Sequence, residues 1–281
     1  MKSGTSTLFS LLAQHPAIAP ARIKEPGYFA FDEVHARGLD WYEGLFDFDA
    51  DRHVYRLEAS TDYTKMPFVT GVRARMASHP DAQFKFIYIM RHPLRRIESH
   101  AQHVEIRRKE IGQQVTEAVG HGLENGVSLP SLTMTQYATQ LESYAQDIAN
   151  GDVYLTTLEQ LNEAPAAVMD DLAHFLGLPA FTELDTTMRH NVVRDFKRLH
   201  PVWTALTGNS IVLRLGKMLI PAAFRGRIKD IFRRKPAVTG RFVLLASEET
   251  ALLQLLYADL KRIRDDHGID IGRFWNLPPA S

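Results

Sequence analysis

Three short stretches carry residue types whose spacing points to chemistry on an anion. The first, KSGTST at residues 2–7, sets a lysine ahead of a run of Gly, Ser and Thr that leads into a helical pattern. Such a loop lets the backbone N–H groups of Ser3, Gly4, Thr5, Ser6 and Thr7 converge on one anion. The helix dipole, the hydroxyls and the Lys2 charge add favourable potential. The nucleotide triphosphate loop, GxxxxGK[ST], has its lysine last; the reversed order here argues against a kinase or NTPase. On its own the hexapeptide reads equally well as a plain helix cap.

The second stretch is IYIMRHP at residues 87–93, followed by Ser99. A strand that ends in arginine puts a guanidinium at the carboxyl edge of a sheet, where open α/β folds bind their ligands. Ser99, eight residues on, can face the same place, and Arg91 with Ser99 makes a phosphate clamp. The third is KEPGYF at residues 24–29, where Glu25 stands between a lysine and a proline next to aromatic residues. A carboxylate so placed can take a proton from a hydroxyl, although the same pattern also makes loop salt bridges.

The elements that must position these residues follow from periodicity. Apolar Leu8, Leu11 and Leu12 predict a helix over residues 5–15, closed by Pro16. Residues 53–58, 84–90 and 153–157 read as strands, and residues 38–46, 68–78, 93–109, 131–149 and 165–176 as helices. Residues 112–130 read as a glycine-bearing surface loop. Alternating strands and helices predict an α/β class with a P-loop-like parallel sheet flanked by helices. After residue 181 the strands are expected to stop, with a basic helical stretch over 210–234 and a long helix over 247–266. The expected organisation is one domain over 1–281, with a nucleotide-binding core at 1–180 and a helical cap at 181–281.

Composition narrows the partners. Thirty-three basic residues balance thirty-three acidic ones, so no global field favours nucleic acid or a membrane surface. The absence of cysteine excludes disulfides, thiolate zinc sites and a Cys nucleophile. No apolar run reaches the roughly 20 residues of a bilayer span, and the N-terminus lacks a secretion-signal layout. The expectation is a soluble, cytoplasmic protein. His100 and His103 sit three apart on an expected helix, but without a carboxylate at ligand spacing they are read as rimming a basic cleft, so no metal is expected. Trp41, Tyr42 and Phe46 are read as packing residues first and sugar platforms second.

Taken in order, KSGTSTL, KEPGYF and RHPLRRIES resemble the sulfotransferases that use 3'-phosphoadenosine 5'-phosphosulfate, PAPS. The segments GLDWYEGLF at residues 38–46 and LEASTDY at 57–63 resemble the carbohydrate branch, which includes heparan sulfate O-sulfotransferases and bacterial relatives. The resemblance covers roughly residues 1–180 well. It implies that KSGTST is the 5'-phosphosulfate loop and that Arg91 and Ser99 hold the 3'-phosphate. It further implies that Glu25 is the base and that Lys2 stabilises the leaving nucleotide. The acceptor would be a saccharide, a glycolipid or a small molecule, with no metal cofactor. Two positions depart from the branch: Ala59 stands where some animal enzymes carry lysine, and Gly27 stands where histidine is common. The basic FRRK at 232–235 stands as a candidate wall of the donor pocket. Family members usually run a strand into the lysine loop, and the numbered chain has no residues for one. Restoring about ten upstream residues is therefore expected to raise stability and activity. The rival readings are an N-terminally truncated, inactive nucleotide-binding member and a nucleotide kinase.

Overall fold

The computed structural model describes residues 2–110, 129–186, 198–199, 233–234, 243–275 and 277. Helix α1 (Thr5–Leu12) precedes strand β1 (Ile18–Pro20), and α2 (Asp32–His35) and α3 (Leu39–Glu43) lead to β2 (Tyr55–Leu57). Next come α4 (Val72–Ala77), β3 (Phe86–Met90) and α5 (Pro93–Glu110). Three short helices, α6 (Leu129–Thr133), α7 (Tyr137–Leu141) and α8 (Ala145–Ala149), precede β4 (Val153–Thr157). Helices α9 (Leu158–Glu163) and α10 (Pro165–Phe175) follow, and α11 (Ala246–Asp265) and α12 (Ile271–Trp275) lie near the C-terminus. β1 pairs with β2 and β3 with β4, both in parallel, as the α/β reading requires.

Period-two alternation along β3 explains why helices cover both faces of its sheet. Met90 belongs to a buried cluster with Leu94, Ile97, Tyr137, Leu256, Ile263 and Trp275. Its neighbour Ile89 belongs to another, with Leu8, Leu11, Leu12, Met169 and Leu172. One face is therefore closed by α5, α7 and α11, and the other by α1 and α10. The leucine stripe of α1 is buried as its spacing predicts, which fixes the helix with its N-terminus at the end of β3.

Three expectations are corrected. The helix read over 131–149 is broken into α6, α7, a 3-10 turn and α8. The break has a tertiary cause: the Thr135 hydroxyl donates to Ser131 O at 2.6 Å, and a new helix start is capped from outside by Asp259 of α11. Buried Asp259 accepts from Ala138 N at 3.0 Å, Thr139 N at 2.8 Å and Thr139 Oγ1 at 2.9 Å, the work of an N-cap residue supplied 120 positions away. Strands also do not stop at residue 181, since Arg198–Leu199 pairs antiparallel with Arg233–Arg234. A two-residue ladder is too short to leave an alternating pattern. It also takes the end of the stretch read as helical out of that helix; the remainder of 210–234, the loop over 112–128 and Phe232 and Lys235 lie outside the described residues. Finally, β1 was not legible, because three residues ending in proline carry no strand signature.

The two parallel pairs do not join each other. Between them lies a cavity of about 240 Å³. It is lined by Leu57 of β2 and the following Glu58, by Phe86, Ile87 and Ile89 of β3, and by Thr5, Leu8 and Leu12 of α1. A strand running into Lys2 would meet this gap, and an unfilled gap between strands leaves backbone groups without ladder partners. Extending the N-terminus by about ten residues that include an apolar, β-branched run is expected to raise the melting temperature and to protect the amides of Arg56 and Ile87, which point away from β1 and β4, from hydrogen exchange. Unchanged melting and unchanged protection would show that the gap does not accept a strand.

Candidate active site

Gly4 is the N-cap of α1 and lies in the left-handed region at φ 91°. A Cβ at this position would come within 2.5 Å of Leu158 Cδ1, so both the backbone and the close approach to α9 require glycine. The first intrahelical bond runs from Leu8 N to Gly4 O at 3.0 Å, so the N–H groups of the first turn ahead of it have no acceptor within the helix. Ser3 is buried and its hydroxyl pairs with Tyr137, so Ser3 builds the loop rather than presenting a side chain from it.

The structure brings Lys2 and Arg91 together. Arg91 Nη1 donates to Lys2 O at 3.2 Å, and the Lys2 ammonium is held below its usual range by burial first and by the Arg91 charge second. Three contacts keep the arginine there. Tyr137 OH donates to Arg91 O at 2.6 Å and lies 3.3 Å from Arg91 N, clamping its backbone on both sides. Glu159, in the first turn of α9, accepts from His92 N at 3.1 Å and from Trp275 Nε1 at 3.0 Å. One carboxylate thus ties the turn after β3 to the C-terminal helix α12. Ser99 lies further along α5 and is half-buried.

Glu25 lies on the loop between β1 and α2, with an exposed carboxylate. Its Oε1 takes the Lys24 ammonium and its Oε2 accepts from Thr61 Oγ1 at 3.3 Å. Next to it stands a carboxylate that sequence reading missed. Glu58 accepts from Ser60 N at 2.7 Å and from the hydroxyls of Tyr63, Tyr42 and Ser60. Burial raises the Glu58 pKa; the Ser60 and Tyr63 donors oppose that shift, and the Glu25 charge adds to it. A polar residue ending the strand read over 53–58 was the available signal. Tyr42 stacks on Tyr28 with ring centroids 4.4 Å apart, and Phe46 is buried, so both serve as packing.

Gly27, the departure from the histidine-bearing pattern, has a conformational reason. Its φ is 69°, and an added Cβ would lie 2.9 Å from the Phe31 ring. No group of three or more His, Cys, Asp or Glu side chains able to hold a metal occurs among the described residues. Nor is any helix among them long and apolar enough to cross a membrane.

Chemically, the described contacts offer two cations beside a helix N-terminus and, on a separate loop, a carboxylate with an exposed face. The donor set suits an anionic group of phosphate type: Lys2 and Arg91 repel each other, and an anion between them would relieve that repulsion.

Comparison with known proteins agrees with this chemistry. Residues 1–215 match the sulfotransferase domain family. A human relative, "Bifunctional heparan sulfate N-deacetylase/N-sulfotransferase 2", is 24% identical over 208 residues, covering 69% of this chain and 23% of the relative. The mouse "Bifunctional heparan sulfate N-deacetylase/N-sulfotransferase 1" is 24% identical over 249 residues, covering 83% of this chain and 27% of the relative. The chain thus spans about a quarter of the length of these relatives. Among solved structures, a sulfotransferase from Alicyclobacillus acidocaldarius superposes with a TM-score of 0.50 at 23% identity, covering 80% of this chain and 95% of that one. That likeness concerns the fold.

The α5 histidines have a measurable consequence. His100 is buried, and its imidazole is pushed down to about 3 by burial first and by the Arg96, His103 and Lys65 charges after it. Unfolded, it takes a proton near its ordinary 6.5; folded, it resists until about 3. Stability should therefore fall as pH drops through that window, approaching about 1.4 kcal/mol per pH unit inside it. Between pH 6.5 and 5 the wild-type chain is expected to lose about 1.5 kcal/mol more than His100→Gln in urea unfolding. Equal losses would remove His100 from the acid response.

Proposed function

This chain belongs to the sulfotransferase domain family, and from that membership we propose that it transfers a sulfuryl group from PAPS to a hydroxyl or amine of a saccharide acceptor. The observation that carries the reading is the enforced proximity of Lys2 and Arg91 at the N-terminus of α1. Two positive groups at a helix N-terminus make a place that favours an anion. The heparan sulfate specificity named for the relatives supports a saccharide as acceptor class; a glycolipid or small-molecule hydroxyl has the same reactive group.

PAPS supplies an activated sulfuryl group on a phosphate leaving group. In this reading the N–H groups from Gly4 to Thr7 hold the 5'-phosphate, and Arg91 and Ser99 hold the 3'-phosphate. Glu25 accepts the acceptor proton while the new bond to sulfur forms and the bond from sulfur to the bridging oxygen breaks. Lys2 meets the negative charge that collects on that oxygen as the bisphosphate leaves. Positioning and electrostatics supply most of the rate, as in phosphoryl transfer. A sulfuryl group carries less charge than a phosphoryl group, so the two cations and the helix end are the charge stabilisers this mechanism requires.

Glu25→Gln is expected to lower turnover at least 100-fold while leaving affinity for adenosine 3',5'-bisphosphate unchanged, as read by radiolabelled transfer and calorimetry. Retained turnover would remove Glu25 from the role of base. Arg91→Ala should weaken the 3',5'-bisphosphate by about 10- to 100-fold and adenosine 5'-phosphate far less. Equal losses for the two nucleotides would refute the 3'-phosphate assignment.

A further inference from the structure

The segment after β2 does more than line the cavity: it is laced to the loop that carries Glu25. Ala59 N donates to Lys24 O at 2.8 Å, and Gly27 N donates to Ser60 Oγ at 2.9 Å. Phe29 N donates to Tyr63 OH at 3.3 Å, and Tyr144 OH donates to Tyr63 O at 2.9 Å. Glu58 organises this turn from below, because its carboxylate gathers the Ser60 backbone N–H and the Ser60, Tyr63 and Tyr42 hydroxyls. Thr61 follows directly in a 3-10 turn, Thr61–Thr64, and is buried at 7% exposure. Buried in this way, its hydroxyl has little freedom, and it points at Glu25 Oε2.

We propose that Thr61 is a positioning residue for the transfer reaction: its hydroxyl orients the Glu25 carboxylate, on a turn that Glu58 anchors. The proposal rests on the reading of Glu25 as the base. Each carboxylate oxygen can accept two hydrogen bonds. Lys24 takes one site on Oε1 and Thr61 one on Oε2, so the plane of the group is set and the remaining sites face the acceptor. At 3.3 Å the Thr61 contact is long for a hydroxyl donor, as catalytic hydrogen bonds are before substrate closes on them.

The test compares Thr61→Val, which keeps shape and loses the donor, with Thr61→Ser, which keeps the donor, alongside Glu25→Gln. Turnover, KM for the acceptor and affinity for adenosine 3',5'-bisphosphate are measured for each. Thr61→Val is expected to lower kcat about tenfold, a fraction of what general-base catalysis supplies, with KM for the acceptor and nucleotide affinity unchanged. Thr61→Ser should restore kcat. If Thr61→Val does not fold, Thr61→Ala carries the same comparison. An inactive Glu25→Gln with wild-type kcat in the Thr61 variants overturns this proposal alone. An active Glu25→Gln overturns both the proposal and the reading beneath it.

Discussion

Holding Arg91 against the Lys2 loop is the constraint around which the described structure is arranged. Two cations do not stay together unaided, and the Lys2 ammonium, held below its usual range by burial first, is lowered further by the Arg91 charge. The restraint comes from several elements distant in sequence. Tyr137 grips the Arg91 backbone from α7, and Glu159 grips the next residue from α9. Each gripping residue is itself held: α7 is capped by Asp259 of α11, and Glu159 is also bound by Trp275 of α12. The C-terminal helices thereby reach the carboxyl end of β3.

The Glu25 loop follows a different physical logic. Glu58 is a partly buried carboxylate, and withdrawing a charge from water is unfavourable unless donors surround it. Here three hydroxyls and one backbone N–H do so, and the Ser60 and Tyr63 donors belong to the turn that frames Glu25. Satisfying this partly buried acid therefore fixes the surroundings of the neighbouring exposed one. Gly27 contributes the positive φ that lets the KEPGYF loop double back over this turn. A β-carbon there would meet Phe31, which accounts for the lack of a larger residue at this position.

Legibility in the sequence tracked the range of the interactions. β4 spans Val153–Thr157 as expected, and β3 and α10 fall within two residues of their expected limits, because their burial patterns are periodic and local. The broken helix over 131–149 was not legible, since its second start is capped by Asp259 from α11. β1 and the Arg198–Leu199 ladder are too short to alternate. Glu58 escaped notice because a glutamate at a strand end is ordinary until its environment is known.

By itself the sequence determined the residue types and their order: a lysine with small residues before a helix, a glutamate beside aromatics, and an arginine at the end of an apolar strand. Those features depend on neighbours a few positions apart, and backbone geometry translates them directly into a helix N-terminus and a strand edge. The tertiary structure alone decided that Lys2 and Arg91 share one site, that Thr61 reaches Glu25, and that Glu58 is partly buried. These are contacts across 36 to 89 residues of chain, set by which faces the helices bury, and no local pattern encodes which distant partner a side chain will meet.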